Sequence, residues 1–279
     1  MEPVRQPKGQ SIAKRDNQGI IPNEDRFRLV NPIAVSDGAG GAGLFTGEWA
    51  EYLCDHLPDD SISTFEEFSG WINSIWEPFC NKYQTVAEER GIGAKFLSDG
   101  SWATLVSIWF PKDNNQSCKW LAYGDSTIFV FDLEAKCLDF CSVKDINLFT
   151  ESPYLINWKE DPSPVGFSHG EFILKKNQLV LLASDAMSQY IFLQYLLQQN
   201  DDPAKMQLGQ LEASGSRLAV QMGKMKNSSN SADFFTTALP ELIESLNLID
   251  DFQVLTDKLK QQGFLAFDDY TLVMYNLNL

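Results

Sequence analysis

Carboxylates are the residues in this chain whose type and placement suit chemistry, because several of them stand where apolar strands begin or end. Ile33-Ala34-Val35-Ser36 runs into Asp37-Gly38-Ala39-Gly40-Gly41, and Asn23-Glu24-Asp25-Arg26-Phe27 precedes it. A strand ending in Asp-Gly leaves a carboxylate at its tip, and the glycines behind it let the backbone turn tightly enough for a cation to approach. Taken alone, Asp37-Gly38 also reads as the opening of an ordinary turn. Three more segments repeat the pattern. Leu179 to Ala183 leads into Ser184-Asp185-Ala186, Asp268-Asp269 stands just before the apolar run from Tyr270 to Asn276, and Gly124-Asp125-Ser126 lies between two apolar runs at what reads as a hairpin turn. Oxygen donors of this kind suit a hard divalent cation such as Mg²⁺ or Mn²⁺, which keeps several of its waters.

The rest of the composition narrows the alternatives. Of 279 residues, 38 are Asp or Glu and 22 are Lys or Arg, a net charge of −16. Nucleic acid and anionic membranes would be repelled by that field, so neither is expected as a partner. The only histidines, His56 and His169, are far apart, which argues against a His-rich zinc site or a two-His iron site. With 44% hydrophobic residues the chain is globular, and no linker or repeat divides it, so a single domain over 1–279 is expected. The five cysteines are an odd number without a Cys-x-x-Cys spacing, and they read as reduced, mostly buried thiols. The first residues contain no apolar stretch and no apolar run is long enough to span a bilayer, which points to a soluble cytoplasmic protein.

Apolar runs rich in β-branched and aromatic residues predict the strands that hold these acids. They cover 32–36, 103–110, 120–123, 128–132, 171–174, 178–184 and 270–276. Thr64 and Glu67 read as a capping box for a helix in which Phe65, Phe68, Ile72, Ile75 and Phe79 recur at helical spacing, and Pro78 is expected to kink or restart it. Further helices are expected after Ser188, from Asp202 as cap with Pro203 as first helical residue, and from Leu239 through Ile249, with Gly263 as a helix stop. The segment 226–231 is polar and reads as a loop. Strands and helices without strict alternation predict an α+β fold, a two-sheet core flanked by helices. The segment 134–170, with Pro153, Pro162 and Pro164, reads as an excursion from it. His169 reads as a turn residue and His56 as a helix-end residue, and Trp71 and Trp76 read as packing groups.

The order of the acidic motifs resembles the metal-dependent serine/threonine protein phosphatases of the 2C type. Glu24-Asp25, Asp37-Gly38-Ala39-Gly40-Gly41, Gly100-Ser101-Trp102-Ala103-Thr104, Gly124-Asp125-Ser126, Ala183-Ser184-Asp185-Ala186 and Asp268-Asp269-Tyr270-Thr271 match that family's motifs in sequence order, from about Ile12 onward. The resemblance implies a central β-sandwich of two antiparallel sheets flanked by α-helices. It also implies two divalent ions, Mn²⁺ or Mg²⁺. Asp37 would bridge them, Asp185 and Asp268 would complete one shell, and the Gly38 carbonyl and Glu24 would serve the other. Asp25 would hydrogen-bond a metal-bound water, and Asp125 would help hold a looser third ion. The implied reaction is direct hydrolysis of a phosphoserine or phosphothreonine monoester in a phosphoprotein substrate, by a water activated between the ions.

The chain departs from the family at three positions. Ile20 stands where the family carries an arginine that binds the substrate phosphate. Lys14 and Arg15 are the nearest substitutes, although solvated charges are the plainer reading of both. Ala39 replaces a histidine that many eukaryotic members use as an acid, and Ala186 replaces a glycine, which would strain the chain only at positive φ. The surviving acids favour an active enzyme. The missing arginine favours the alternative, a phosphatase-like module that binds a partner without hydrolysis.

Overall fold

The computed structural model describes residues 6–16, 19–111, 117–228 and 233–276. In chain order its strands are β1 (Lys8–Ile12), β2 (Arg15–Asp16), β3 (Gly19–Ile20), β4 (Arg26–Arg28), β5 (Ile33–Ser36), β6 (Trp102–Ala103), β7 (Leu105–Trp109), β8 (Cys118–Tyr123), β9 (Thr127–Asp132), β10 (Cys137–Cys141), β11 (Ile156–Asn157), β12 (Phe167–Phe172), β13 (Gln178–Ala183) and β14 (Tyr270–Asn276). The α-helices are α1 (Thr46–Asp55), α2 (Phe65–Glu89), α3 (Gly93–Asp99), α4 (Asp185–Leu196), α5 (Asp202–Ser214), α6 (Arg217–Asn227), α7 (Leu239–Ser245) and α8 (Ile249–Gln262). The fold is α+β, with two five-stranded antiparallel sheets. Each sheet belongs to its own compact unit.

The Asp37 unit comprises Asn23–Ser126 and Pro153–Lys175, and its sheet runs β12-β8-β7-β5-β4. Its core sets Trp49 and Leu53 of α1 and Phe68, Ile72 and Phe79 of α2 against Ala34, Leu105 and Leu121 of the sheet. The Thr64 hydroxyl accepts from the Glu67 amide and the Glu67 carboxylate accepts from the Thr64 amide, so the expected capping box opens α2. The helix does not restart at Pro78: α2 continues through it to Glu89. Proline inside a helix costs about 3 kcal/mol. Burying Ile72 on one side of it and Phe79 on the other offsets that, at about 1.5–3 kcal/mol for each large apolar side chain.

The Asp185 unit comprises Met1–Pro22, Thr127–Ser152 and Lys176–Leu279, and its sheet runs β1-β14-β13-β9-β10. Leu179, Leu181 and Ala183 of β13 pack with Met187, Tyr190 and Ile191 of α4. Val180 and Leu182, of the opposite parity, are equally buried, which is why this strand reads as a continuous apolar run rather than an alternating one.

Four sequence expectations are corrected here. Gly124-Asp125-Ser126 is not a hairpin turn, because β8 and β9 belong to different sheets and the chain passes from one to the other at this point. The pattern from Leu239 to Ile249 is two helices, α7 and α8, with α7 entered through a π-helical turn over Phe234–Ala238. The cap of α5 is Asp201, whose carboxylate accepts from the Ala204 amide at 2.8 Å, so Asp202 and Pro203 are already helical. His169 lies on β12 opposite Leu121 rather than in a turn. Other expectations are met. Gly263 ends α8 at φ 73°, and His56 ends α1, its ring stacked on Tyr52 at 3.7 Å. The loop expected at 226–231 is corrected at its start, where Lys226 and Asn227 are the last residues of α6, and 229–231 lie outside the described residues. Among the described residues no helix is long and apolar enough to cross a membrane.

Candidate metal centre

Strand pairing explains why the acids gather. In the Asp37 unit β4 and β5 are antiparallel with Arg26 opposite Ser36, so Glu24-Asp25, just ahead of β4, returns beside Asp37, just past β5. The next pairing sets Val35 opposite Val106, which brings Thr104 to the same end of the sheet. Leu105 opposite Tyr123 then brings in Gly124-Asp125. Glu24, Asp25, Asp37 and Asp125 therefore share one sheet end.

Backbone and hydroxyl groups fix this end. Thr46, the first residue of α1, donates its hydroxyl to Glu24 Oε1 at 2.6 Å, and the Gly38 amide donates to the Glu24 carbonyl at 3.2 Å. The Glu24 carboxylate lies over Gly40, where a Cβ would overlap it, and a Cβ on Gly38 would come within 2.7 Å of the Thr46 backbone. The Asp37 amide donates to Thr104 Oγ1 at 3.2 Å, the Thr104 amide donates to the Asp37 carbonyl at 2.8 Å, and Thr104 Oγ1 meets Ser126 Oγ at 2.6 Å. Asp25 is buried. Gly124 turns at φ 94°, with the Thr104 methyl 2.7 Å from where its Cβ would be.

The Asp185 unit repeats the logic. Ala183 pairs with Leu272, so Asp185, just past β13, and Asp268, just ahead of β14, come to one end. The Ser184 amide donates to the Thr271 carbonyl and the Thr271 amide donates to Ser184 Oγ, both at 3.1 Å. Asp185 opens α4, where its own carboxylate accepts from the Ala186 amide. Ala186 is helical, so the glycine-to-alanine change introduces no left-handed strain.

Lys14 is not merely solvated here. Its amide donates to Asp269 Oδ1 at 2.7 Å, and its ammonium lies 3.3 Å from Asp268 Oδ1 and 3.7 Å from Asp269 Oδ2. Arg15 instead donates to Gln253 Oε1 at 2.9 Å.

Asp185 and Asp268 line a cleft of about 830 Å³ within this unit. Arg217 and Lys224 of α6 and Lys260 of α8 line it too. These cations, like Thr46, carry no signal in the motif pattern, because a lysine or arginine at a helix surface looks the same in sequence wherever the helix docks.

The donors suit a hard divalent cation, since every predicted ligand offers oxygen. Among the described residues, however, no group of three or more His, Cys, Asp or Glu side chains is close enough to hold a metal ion. One predicted ligand, Asp268, carries the Lys14 ammonium instead.

No protein-family model matches the chain, and no curated protein matches it. Solved structures do share its fold. The catalytic domain of the serine threonine protein phosphatase PstP, in complex with two manganese ions, superposes with a TM-score of 0.50 at 14% identity, over 96% of each chain. The Mycobacterium tuberculosis serine/threonine phosphatase PstP/Ppp does so with a TM-score of 0.50 at 14% identity, over 98% of each chain. At that identity the likeness is one of fold, and it is the fold that the order of the acidic motifs implies.

Proposed function

We propose that this chain, which folds as the bacterial serine/threonine phosphatases do, is a divergent Mn²⁺- or Mg²⁺-dependent phosphatase acting on phosphoserine or phosphothreonine in a phosphoprotein. The observation that carries the reading is the anchoring of Glu24: its carboxylate is held by the Thr46 hydroxyl above a glycine that leaves it room. Such support of a carboxylate by a neighbouring hydroxyl is what a ligand needs to keep one orientation.

In this reading Glu24, Asp37, the Gly38 carbonyl, Asp185 and Asp268 would hold two ions, and Asp125 would contribute to a third. Bound divalent ions would supply Lewis acidity at phosphorus and lower the pKa of water. The chain's own groups do the rest. Asp25 orients the attacking water, and Thr104 and Ser126 fix the backbone on which Asp37 and Asp125 ride. Ala39 offers no proton, so the leaving alkoxide takes its proton from solvent. None of the five cysteines, all of them among the described residues, is in a disulfide, as suits a reducing, cytoplasmic compartment.

A non-hydrolytic binding module is favoured by one observation, the ion pair of Lys14 with Asp268. Hydrolysis of p-nitrophenyl phosphate and of a phosphothreonine peptide, with and without Mn²⁺, separates the two readings when run beside Asp37→Ala and Asp185→Ala. Mn²⁺-dependent turnover lost in both variants supports the phosphatase. Equal background rates in all three proteins exclude it.

A further inference from the structure

The protein carries a net charge of −16, yet three cations line the cleft that also holds Asp185 and Asp268. Arg217 and Lys224 are seven residues apart on α6, about 10.5 Å along one face of the helix. Gln221 lies between them on that face and donates to the Phe264 carbonyl, which fixes the face toward the end of α8. Lys224 lies against Gly263, its ammonium 2.6 Å from where a Cβ would be.

Three other lysines of this unit have acidic partners. Lys226 pairs with Glu212 at 3.0 Å, Lys258 with Glu241 at 3.1 Å and Lys14 with Asp268 at 3.3 Å. Among the described residues Arg217 and Lys224 have none within ion-pair distance, although both are exposed and acids outnumber bases in the chain. Lys260 donates to the Arg15 carbonyl at 2.8 Å and sits 4.7 Å from the centre of the Phe267 ring. That ring, 51% exposed, gives the cleft an apolar surface beside its charges.

From this geometry we infer that the α6–α8 wall of the cleft is a docking site for an acidic peptide segment flanking the phosphorylated residue. The inference rests on the phosphatase reading for what the peptide is doing there, but not for its charge. A strand of peptide rises about 3.3 Å per residue, so acidic side chains about three residues apart match the spacing of Arg217 and Lys224. Three cations on one wall select by sign: an acidic segment is drawn to them and a basic one is repelled.

The test is binding of a fluorescein-labelled phosphothreonine peptide carrying glutamates three residues apart, against the same peptide with glutamines or lysines there. Fluorescence anisotropy reads it at low ionic strength. The wild type is expected to bind the glutamate peptide at least about tenfold more tightly than the glutamine peptide. The double variant Arg217→Glu/Lys224→Glu should lose that preference and favour the lysine peptide. Both positions are exposed, and an unchanged melting temperature establishes that the variant is folded. Equal affinities in the wild type, or a glutamate preference that survives the charge reversal, overturn the inference. A wild type that shows the preference but no Mn²⁺-dependent turnover of p-nitrophenyl phosphate retains the docking site and loses the phosphatase reading.

Discussion

Thr46 donates its hydroxyl to Glu24 at 2.6 Å, tying the first turn of α1 to the segment that enters β4. Thr46 is buried, so this bond has no ready replacement from solvent. In Thr46→Val the Glu24 carboxylate loses its orienting partner while the side-chain volume is kept. Mn²⁺ affinity, read by calorimetry, is expected to fall about tenfold to a hundredfold. Thr46→Ser, which restores the hydroxyl, should recover most of it. Unchanged affinity in the valine variant would remove Glu24 from the ligand set.

Gly38 has no room for a side chain. A Cβ there would meet the Thr46 backbone at 2.7 Å and the Glu24 carbonyl at 2.8 Å, and backbone cannot rotate away as a flexible side chain can. Gly38→Ala should therefore destabilise the protein by about 1–3 kcal/mol. Denaturant unfolding of the metal-free protein measures this apart from any change in metal binding.

Lys14 holds an acid pair of which one member, Asp269, is almost wholly buried. In Lys14→Met the metal-free protein should lose about 1.5–3 kcal/mol, the worth of a hydrogen bond to a charged group. A divalent ion is then free of its competitor, so the Mn²⁺ midpoint of the thermal shift should move roughly tenfold lower, a change of about 1.4 kcal/mol. A variant destabilised equally with and without Mn²⁺ would mean that Lys14 and the ion do not compete.

Alkali should destabilise the fold through two thiols, the buried Cys118 and the partly buried Cys141. Burial pushes Cys118 up to about 11 and Cys141 up to about 12 from an ordinary 9.0, so both stay protonated in the folded chain. Between the ordinary value and the raised ones the unfolded chain has released protons that the folded chain keeps. Stability is then fully present below about pH 9 and falls as pH rises toward 11 to 12. Melting temperatures of the wild type and of Cys141→Ala across pH 8 to about 11 should converge as the contribution of Cys141 is lost. A constant gap between the two curves would contradict it.

Local chemistry made much of this structure readable from sequence. The Thr64 capping box and the Gly263 stop are set by side-chain and backbone groups within a few residues, and the acids at strand tips by the strands themselves. What sequence hid was decided by tertiary partners. Pro78 stays helical because buried groups on both sides hold the helix. Gly124-Asp125-Ser126 has the residues of a hairpin turn, but it connects strands of different sheets, and strand order is not written in a turn. Lys14 meets Asp268 and Asp269 across 254 and 255 positions, a separation at which sequence gives no sign of pairing. Ile20, at the place of the missing arginine, lies on the short strand β3, and the basic groups near the Asp185 acids come from α6 and α8, far away in sequence.

The position of β14 between β1 and β13 governs the order in which the Asp185 unit can be built. Ser11 of β1 and Thr271, the second residue of β14, share a hydrogen bond across 260 positions. During synthesis β1 emerges first and waits without a neighbour until nearly all the intervening chain has been translated. The Asp37 unit has all its strands except β11 and β12 by Tyr123, and both follow well before β14. The ribosome thus releases one half ready to fold while the other keeps an open strand edge, the form in which an incomplete chain is most exposed to aggregation and most in need of a chaperone.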